Sequence, residues 1–465
     1  MTFDYKFDIY SQNLRDFSYI LDPYIASGIT RRNNPQIIEN EDLQTQINTI
    51  DDNYVHDQIC SFQNLSYVIS VIQQFHIDSP EYQNLVLNSN FLETILKILD
   101  NNFNRNEYDS SPTISDQIFE KIILFLYKIS NSEEYIPKLL ELGVIDVFNS
   151  TILNVPEQFR SPYMNIVLIL LKSEENIQKF DLSSIELLFD RIDSLLFAKD
   201  GMIRKNSCQF LCHFSKYYSI LPSNLQASLI NIIKELDESR VYELDSLLSL
   251  ACFNIIESIE SNQLIDIDFF VVFIKHKIHS KDNEAVLYTL NILTTLIFKF
   301  NLFSLFIDSF RVESFVKHLY MGSVSTKIAI IRFFTEFIKK ESSIIHDLIA
   351  SNVIEGIISI MINESMSLKV TAFKFVCELL KIRSVETEEY INEEVLECMV
   401  SIIESSEKYM SLGLETFYIL SKNERFQQAM INCEGYYALN ELEPENDRLF
   451  ETIKFILGES NLFND

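Results

Sequence analysis

The sequence predicts an all-α fold, a right-handed α/α solenoid of about nine repeats. Three observations predict it. The chain has 465 residues but 8 Gly and 9 Pro, too few for the turns of an all-β fold, so long uninterrupted helices are the natural reading. Hydrophobic residues make up 47% of the chain and charged residues 23%, a balance that buries a core and does not read as disorder. The third observation is the most specific: one apolar pattern recurs at a fixed interval.

The interval is clearest between Ile330-Ile-Arg-Phe-Phe-Thr-Glu-Phe-Ile338 and Ala372-Phe-Lys-Phe-Val-Cys-Glu-Leu-Leu380, where each residue of the second segment lies 42 positions after its counterpart. Lys327 and Lys369, Arg332 and Lys374, Glu336 and Glu378, and Lys339 and Lys381 repeat with it. Similar apolar helices begin near Ile122, Met164, Ser207, Leu247, Val286 and Gly413, at steps of 39 to 44 residues, the range of armadillo and HEAT units. A second element precedes these helices. Leu139-Leu-Glu-Leu-Gly-Val-Ile-Asp-Val-Phe148 parallels Leu348-Ile-Ala-Ser-Asn-Val-Ile-Glu-Gly-Ile357, with related versions at Leu85 to Ile95, Phe306 to Phe315 and Met430 to Leu439. Each reads as a short helix, a sharp corner at Gly or Asn, which tolerate the left-handed conformation, and a second helix. The long helix then completes a three-helix unit. Between Leu171 and Lys281 the first helix is short or missing, so those units read as two-helix pairs. No unit buries its apolar face alone; stacking creates the core.

The repeat domain spans residues 61–458, with a polar loop at about 101–113 and a short tail at 459–465. Residues 1–60 carry four basic and ten acidic residues and do not fit the repeat. They read as a partly ordered acidic extension. The net charge of −29, from 38 basic and 67 acidic residues, repels phosphate backbones and anionic bilayers. Nucleic-acid and membrane partners are therefore not expected, while the acidity either favours basic partners or keeps an apolar solenoid dissolved. Seven dispersed cysteines in apolar helical runs are the habit of reduced, buried thiols. With no signal-like N-terminus and no apolar run long enough to span a bilayer, an intracellular, soluble monomer is expected.

The closing segment from Gly435 through Leu439, Leu442, Glu445, Asn446, Leu449 and Phe450 to Ile456 and Leu457 resembles the last armadillo repeat of importin alpha. Gly143-Val-Ile-Asp-Val-Phe148 is similar to a corner of that family's internal repeats, and Arg31-Arg32-Asn33 to the end of its basic arm. The resemblance implies a nuclear-transport adaptor that is cytoplasmic, shuttles to the nucleus and meets importin beta or nuclear cargo. It also implies a ladder of Trp and Asn pairs gripping basic cargo. Here the chain departs from the family, since it has no Trp. Its ladder positions include Gln209 and His213, Arg332 and Glu336, and Lys374 and Glu378, and its N-terminal segment is acidic rather than basic.

The candidate partner-binding groove is thus Gln209, His213, Lys327, Arg332, Glu336, Lys339, Lys369, Lys374, Glu378 and Lys381. Stacking would align the basic columns 327/369, 332/374 and 339/381 into a ladder for an acidic or phosphorylated peptide. The alternative is local ion pairing, Arg332 with Glu336 and Lys374 with Glu378 at i, i+4. Acidic clusters at Glu386, Glu388, Glu389, Glu393, Glu394 and Glu397, and at Glu441, Glu443, Glu445 and Asp447, would attract a basic segment or serve as solvated loops. Cys208 and Cys212 share a helix face, but His213 points about 100° away, which argues against a metal site. The stretch from Lys275 to Lys281 suits a helix C-terminus. No phosphate loop, His-Glu-x-x-His or Gly-x-Ser-x-Gly motif is present, so neither catalysis nor a cofactor is expected. The function expected is protein binding through the groove. Its form would be an importin-alpha-type adaptor, or a scaffold or regulatory subunit in cytoskeletal or signalling complexes.

Overall fold

The computed structural model describes residues 90–103, 114–171, 182–260, 266–382, 384–405, 407–442, 444 and 446–459, with Leu65, Ser66, Ile69, Val86 and Leu87 besides. The extension at 1–60 with Arg31-Arg32-Asn33, residues 104–113 of the expected loop, Glu443, Glu445 and residues 460–465 lie outside the described residues. Among the described residues every regular element is helical. The chain divides into two compact units, Met1–Val144 and Ile145–Asp465.

In the first unit, α1 (Phe91–Phe103), α2 (Asp116–Ser130) and α3 (Ile136–Glu141) follow one another. Their amphipathic spacing puts Phe91 against Phe125 (5.5 Å between ring centroids) and Phe103 against Phe119 (5.0 Å), both edge to face. Residues 101–103 of the expected polar loop are thus the last turn of α1, with Phe103 packed on Phe119. Gly143 closes the corner after α3 at φ 72°, a conformation that costs glycine nothing.

The second unit is a two-layer stack. One layer holds the long helices α5 (Glu157–Leu170), α7 (Gly201–Ser215), α9 (Asp245–Ser258), α11 (Asn283–Phe298), α14 (Val324–Lys340), α17 (Met366–Lys381), α20 (Glu407–Leu420) and α23 (Asp447–Glu459), each packed on the next. The other holds α4 (Val144–Thr151), α6 (Leu182–Leu196), α8 (Ser223–Glu238), α10 (Ile267–Lys277), α13 (Glu313–Met321), α16 (Val353–Asn363), α19 (Glu393–Ser405) and α22 (Gly435–Asn440). Short helices α12 (Phe303–Ser309), α15 (Ile345–Ala350), α18 (Val385–Glu388) and α21 (Glu424–Asn432) add a first member to the four C-terminal units. These four have the armadillo-like three-helix form. The pairs α8/α9 and α10/α11 have the two-helix form that the sequence predicts there. All eight apolar starts read from the sequence fall inside helices.

Local sequence sets the joints. Asp200, Asp282 and Ser323 cap α7, α11 and α14 by accepting from the N–H groups of Met202 (2.7 Å), Glu284 (2.9 Å) and Thr326 (3.2 Å), which satisfies donors that the first turn leaves orphaned. Asn352 turns the corner between α15 and α16 at φ 56°, as its residue type predicts. In the last unit the left-handed residue is Glu434, also at φ 56°, while Gly435 opens α22. A Cβ at Gly435 would lie 2.8 Å from Met430 Cε, the flexible end of that side chain.

The period also appears in polar links. The His213 imidazole donates to the Leu171 carbonyl, Asn254 Nδ2 to the Cys212 carbonyl at 3.1 Å, and Lys299 Nζ to the Glu257 carbonyl at 2.7 Å. Each link spans 42 residues and ties one long helix to the C-terminal half of the preceding one, where carbonyls lack helical partners. A different device joins α8, α9 and α10. Lys277 is buried, with Nζ donating to Asp245 Oδ1 at 2.6 Å and lying 2.8 Å from Asp237 Oδ1. His276 Nδ1 meets Asp237 Oδ2 at 2.8 Å and Ser280 Oγ donates to Asp245 Oδ2 at 2.8 Å. The basic stretch at 275–281 thus turns one lysine inward, beyond the helix-end placement its sequence predicts. Among the described residues no single helix is long and apolar enough to cross a membrane.

Candidate functional site

The faces of α14, α17 and α20 that point away from the second layer carry the candidate residues. In α14, Ser325, Arg332 and Lys339 are exposed and Glu336 half-buried; in α17, Ser367 and Lys374 are exposed and Glu378 and Lys381 half-buried. Steps of three, four and seven residues keep each set on one helical stripe. In α20 the same stripe shows Lys408, Ser411 and Glu415, with Tyr409 half-buried beside them.

Two ion pairs along this face run at i, i+3. Glu336 pairs with Lys339 at 2.8 Å, and Glu378 with Lys381 at 3.2 Å, both at i, i+3. Lys381 also reaches Glu415 on the next helix at 2.8 Å. The 327/369 column faces the second layer instead: Lys327 pairs with Glu364 at 2.7 Å, and Lys369 Nζ donates to the Ile362 carbonyl at 2.7 Å. These two lysines hold the C-terminal end of α16, where a cation suits the dipole. His213 is engaged at Leu171, and Gln209 is half-buried with Oε1 out of contact with solvent. The structure therefore brings Arg332, Glu336, Lys339, Lys374, Glu378 and Lys381 onto one face and places Gln209 and His213 on α7, three long helices before α14.

The charge balance at Lys374 is unusual. Its ammonium lies 6.0 Å from the centroid of Tyr409, and the Lys408 ammonium lies 5.9 Å from the same ring. Partial burial, then repulsion from Lys408, Arg332 and Lys339, holds Lys374 below the ordinary lysine value. Among the described residues, no carboxylate lies within ion-pair distance of Lys374 or Lys408. A chain with a net charge of −29 thus gathers cations here.

Lys408 and Tyr409 escape a search at the repeat period. A step of 42 from Lys374 lands on Thr416, which is buried. Across α17 and α20 the true neighbours are offset by 34, as the Lys381–Glu415 pair shows. That offset was the only signal available, and it requires knowing how the helices are staggered.

A cleft flanks this face, and buried thiols lie inside the stack. A cleft of about 500 Å³ at the C-terminal ends of α17 and α20 is lined by Leu380, Thr387, Ile391, Tyr418 and Phe455, with Glu388, Lys422 and Asn423 at its edge. The thiols of Cys208, Cys252 and Cys377 are buried. A hydrogen bond with Cys212, then burial, pushes Cys208 up; burial pushes Cys252 up and Cys377 to about 12. These are thiols rather than reactive thiolates at neutral pH. Among the described residues no group of three or more His, Cys, Asp or Glu side chains is placed to hold a metal ion.

No protein-family model and no curated protein sequence matches the chain. Among solved structures, it is similar to an engineered protein from the Northeast Structural Genomics Consortium at 12% identity. That likeness covers 91% of this chain and 99% of the other, with a TM-score of 0.61. A computationally designed armadillo repeat protein for modular peptide recognition aligns over 58% of this chain and 99% of its own, at 12% identity and a TM-score of 0.39. At 12% identity the first of these likenesses concerns fold alone. The chain has a helical-repeat fold, its long helices stacked side by side and the cation-bearing face of α14, α17 and α20 left open.

Proposed function

We propose that the protein is a non-enzymatic scaffold that binds segments of other proteins along the open face of α14, α17 and α20. The observation that carries this reading is the alignment of exposed side chains on consecutive long helices, which presents one polar strip to a chain laid across them. As a generic scaffold or regulatory subunit it would act as a monomer, in the cytoplasm, with neither nucleic acid nor membrane as its partner. The test is to block the strip: Ser325→Trp, Ser367→Trp and Ser411→Trp together should abolish partner capture by the full chain. Ser359→Trp and Ser401→Trp, exposed on the second layer, should leave it intact. Equal capture by both variants would overturn the reading.

A second reading, an importin-alpha-type adaptor that shuttles to the nucleus, draws support from the last unit. There Gly435, Leu439, Ile456 and Leu457 are buried in the three-helix form. Cations on the open face weigh against it, because a basic cargo signal would be repelled there. Direct binding of importin beta by the full chain would restore it, and its absence would end it.

A further inference from the structure

We propose that Lys374 and Lys408, which flank Tyr409, and Arg332 on the neighbouring helix receive an acidic segment of a partner protein in polyproline II form, with carboxylates at about every third residue; this rests on the reading of the open face as a binding strip.

The spacing argument comes first. Arg332, Lys374 and Lys408 sit on α14, α17 and α20, three helices packed in succession. Packed helices lie about 8–10 Å apart, and a polyproline II chain rises about 3.1 Å per residue with about three residues per turn, so its every third side chain falls on one face. One cation per helix therefore meets every third side chain of a segment crossing the stack. A single phosphate would need its donors to converge on one point. Arg332, Lys374 and Lys408 are instead set one to a helix on three helices, with the ammonium groups of Lys374 and Lys408 at 6.0 and 5.9 Å from the Tyr409 ring centroid.

Neighbouring carboxylates are already committed. Glu336 is held by Lys339, and Glu378 and Glu415 are held by Lys381. Lys339 and Lys381 thus remove the intramolecular competitors that would neutralise Lys374 and Lys408, and leave like charges crowded together. Incoming carboxylates relieve that repulsion, so the site gains more from an anion than an isolated lysine does. Tyr409 gives the strip an apolar floor with a polar tip, suited to stacking against the backbone of a bound chain. A long polyanion such as single-stranded nucleic acid is the weaker candidate. Beyond these three charges it would run into the field of a chain carrying a net −29.

The test is fluorescence anisotropy with the full chain and labelled twelve-residue peptides. One carries Asp or Glu at every third position, one has those positions as Gln, one as phosphoserine and one as Lys. The acidic peptide should bind more tightly than the Gln and Lys versions and lose affinity as salt rises. K374Q/K408Q should weaken it about tenfold, whereas K374R/K408R should retain it and K454Q on α23 should leave it unchanged. Helix content measured by circular dichroism separates lost binding from lost folding. Phosphoserine binding above the acidic peptide, tight binding of the Lys peptide, or indifference to K374Q/K408Q would each overturn the inference. If a neutral peptide binds and the Trp-blocked variant loses it, the open-face reading stands without the charge specificity. If no peptide binds and blocking the face changes no partner, both fail.

Discussion

Replacing Lys277 by Met tests how the stack is held together. The Lys277 ammonium is 2.6 Å from Asp245 Oδ1 and 2.8 Å from Asp237 Oδ1, and the three side chains are 6%, 4% and 6% exposed. Removing the cation strands two carboxylates in a place that water hardly reaches. Breaking a buried pair on one side costs about 3–5 kcal/mol, a large part of the stability of an ordinary domain. Lys277→Met should therefore lose about 3–5 kcal/mol in urea unfolding followed by circular dichroism. Lys277→Met with Asp237→Asn and Asp245→Asn should recover most of that, because the stranded charges are gone. Hydrogen exchange over α8, α9 and α10 should show the loss locally, since repeat stacks open unit by unit. The charged triad also has a pH signature. Burial pulls Lys277 down, but Asp237 and Asp245 outweigh it and hold its value above the ordinary one. Its stabilisation is thus fully present below the unfolded lysine value of about 10.4 and disappears as pH rises through the folded value. A loss below about 1 kcal/mol for the single variant would refute the reasoning.

Three further outcomes are expected. Gly413→Ala places a Cβ 2.5 Å from Ile403 Cδ1 and 3.1 Å from Phe373 Cζ, so overpacking should lower stability by about 1–3 kcal/mol in the same urea titration. His318 donates to the Ile278 carbonyl at 2.6 Å and is held low, chiefly by burial. Its contribution is therefore present above the unfolded value of about 6.5 and lost as pH falls through the folded one. A drop in Tm between pH 7.5 and 5.5 should shrink in His318→Gln. Glu434→Gly removes a side chain from the left-handed region and should raise stability by about 1 kcal/mol, read as a higher urea midpoint.

The stacked helices are legible in the sequence because each buried apolar position meets its counterpart one repeat away. Asn352 is legible as a corner for a local reason, its tolerance of positive φ. Glu434 is not: nothing in its own chemistry marks a left-handed residue, and the adjacent Gly435 draws the eye to the wrong position. Lys277 looks like one member of an exposed basic run because its partners, Asp237 and Asp245, stand 40 and 32 residues away in two other helices. The candidate face shows the same division. Arg332 and Lys374 fall out of the period, while Lys408 and Tyr409 depend on a stagger of 34 residues that only packing defines. His213 reads as a ladder position, yet its Nε2 is engaged at the Leu171 carbonyl, a backbone partner that no side-chain pattern announces.

The most direct measurement is where a bound segment touches the protein. A photo-crosslinking residue placed in turn at Ser325, Ser367, Ser411, Ser359 and Ser401, all exposed, reports contact with a partner segment helix by helix. Binding across the open face gives crosslinks at Ser325, Ser367 and Ser411 and none at Ser359 or Ser401. Crosslinks confined to Ser359 and Ser401 would contradict it and move the binding surface to the second layer.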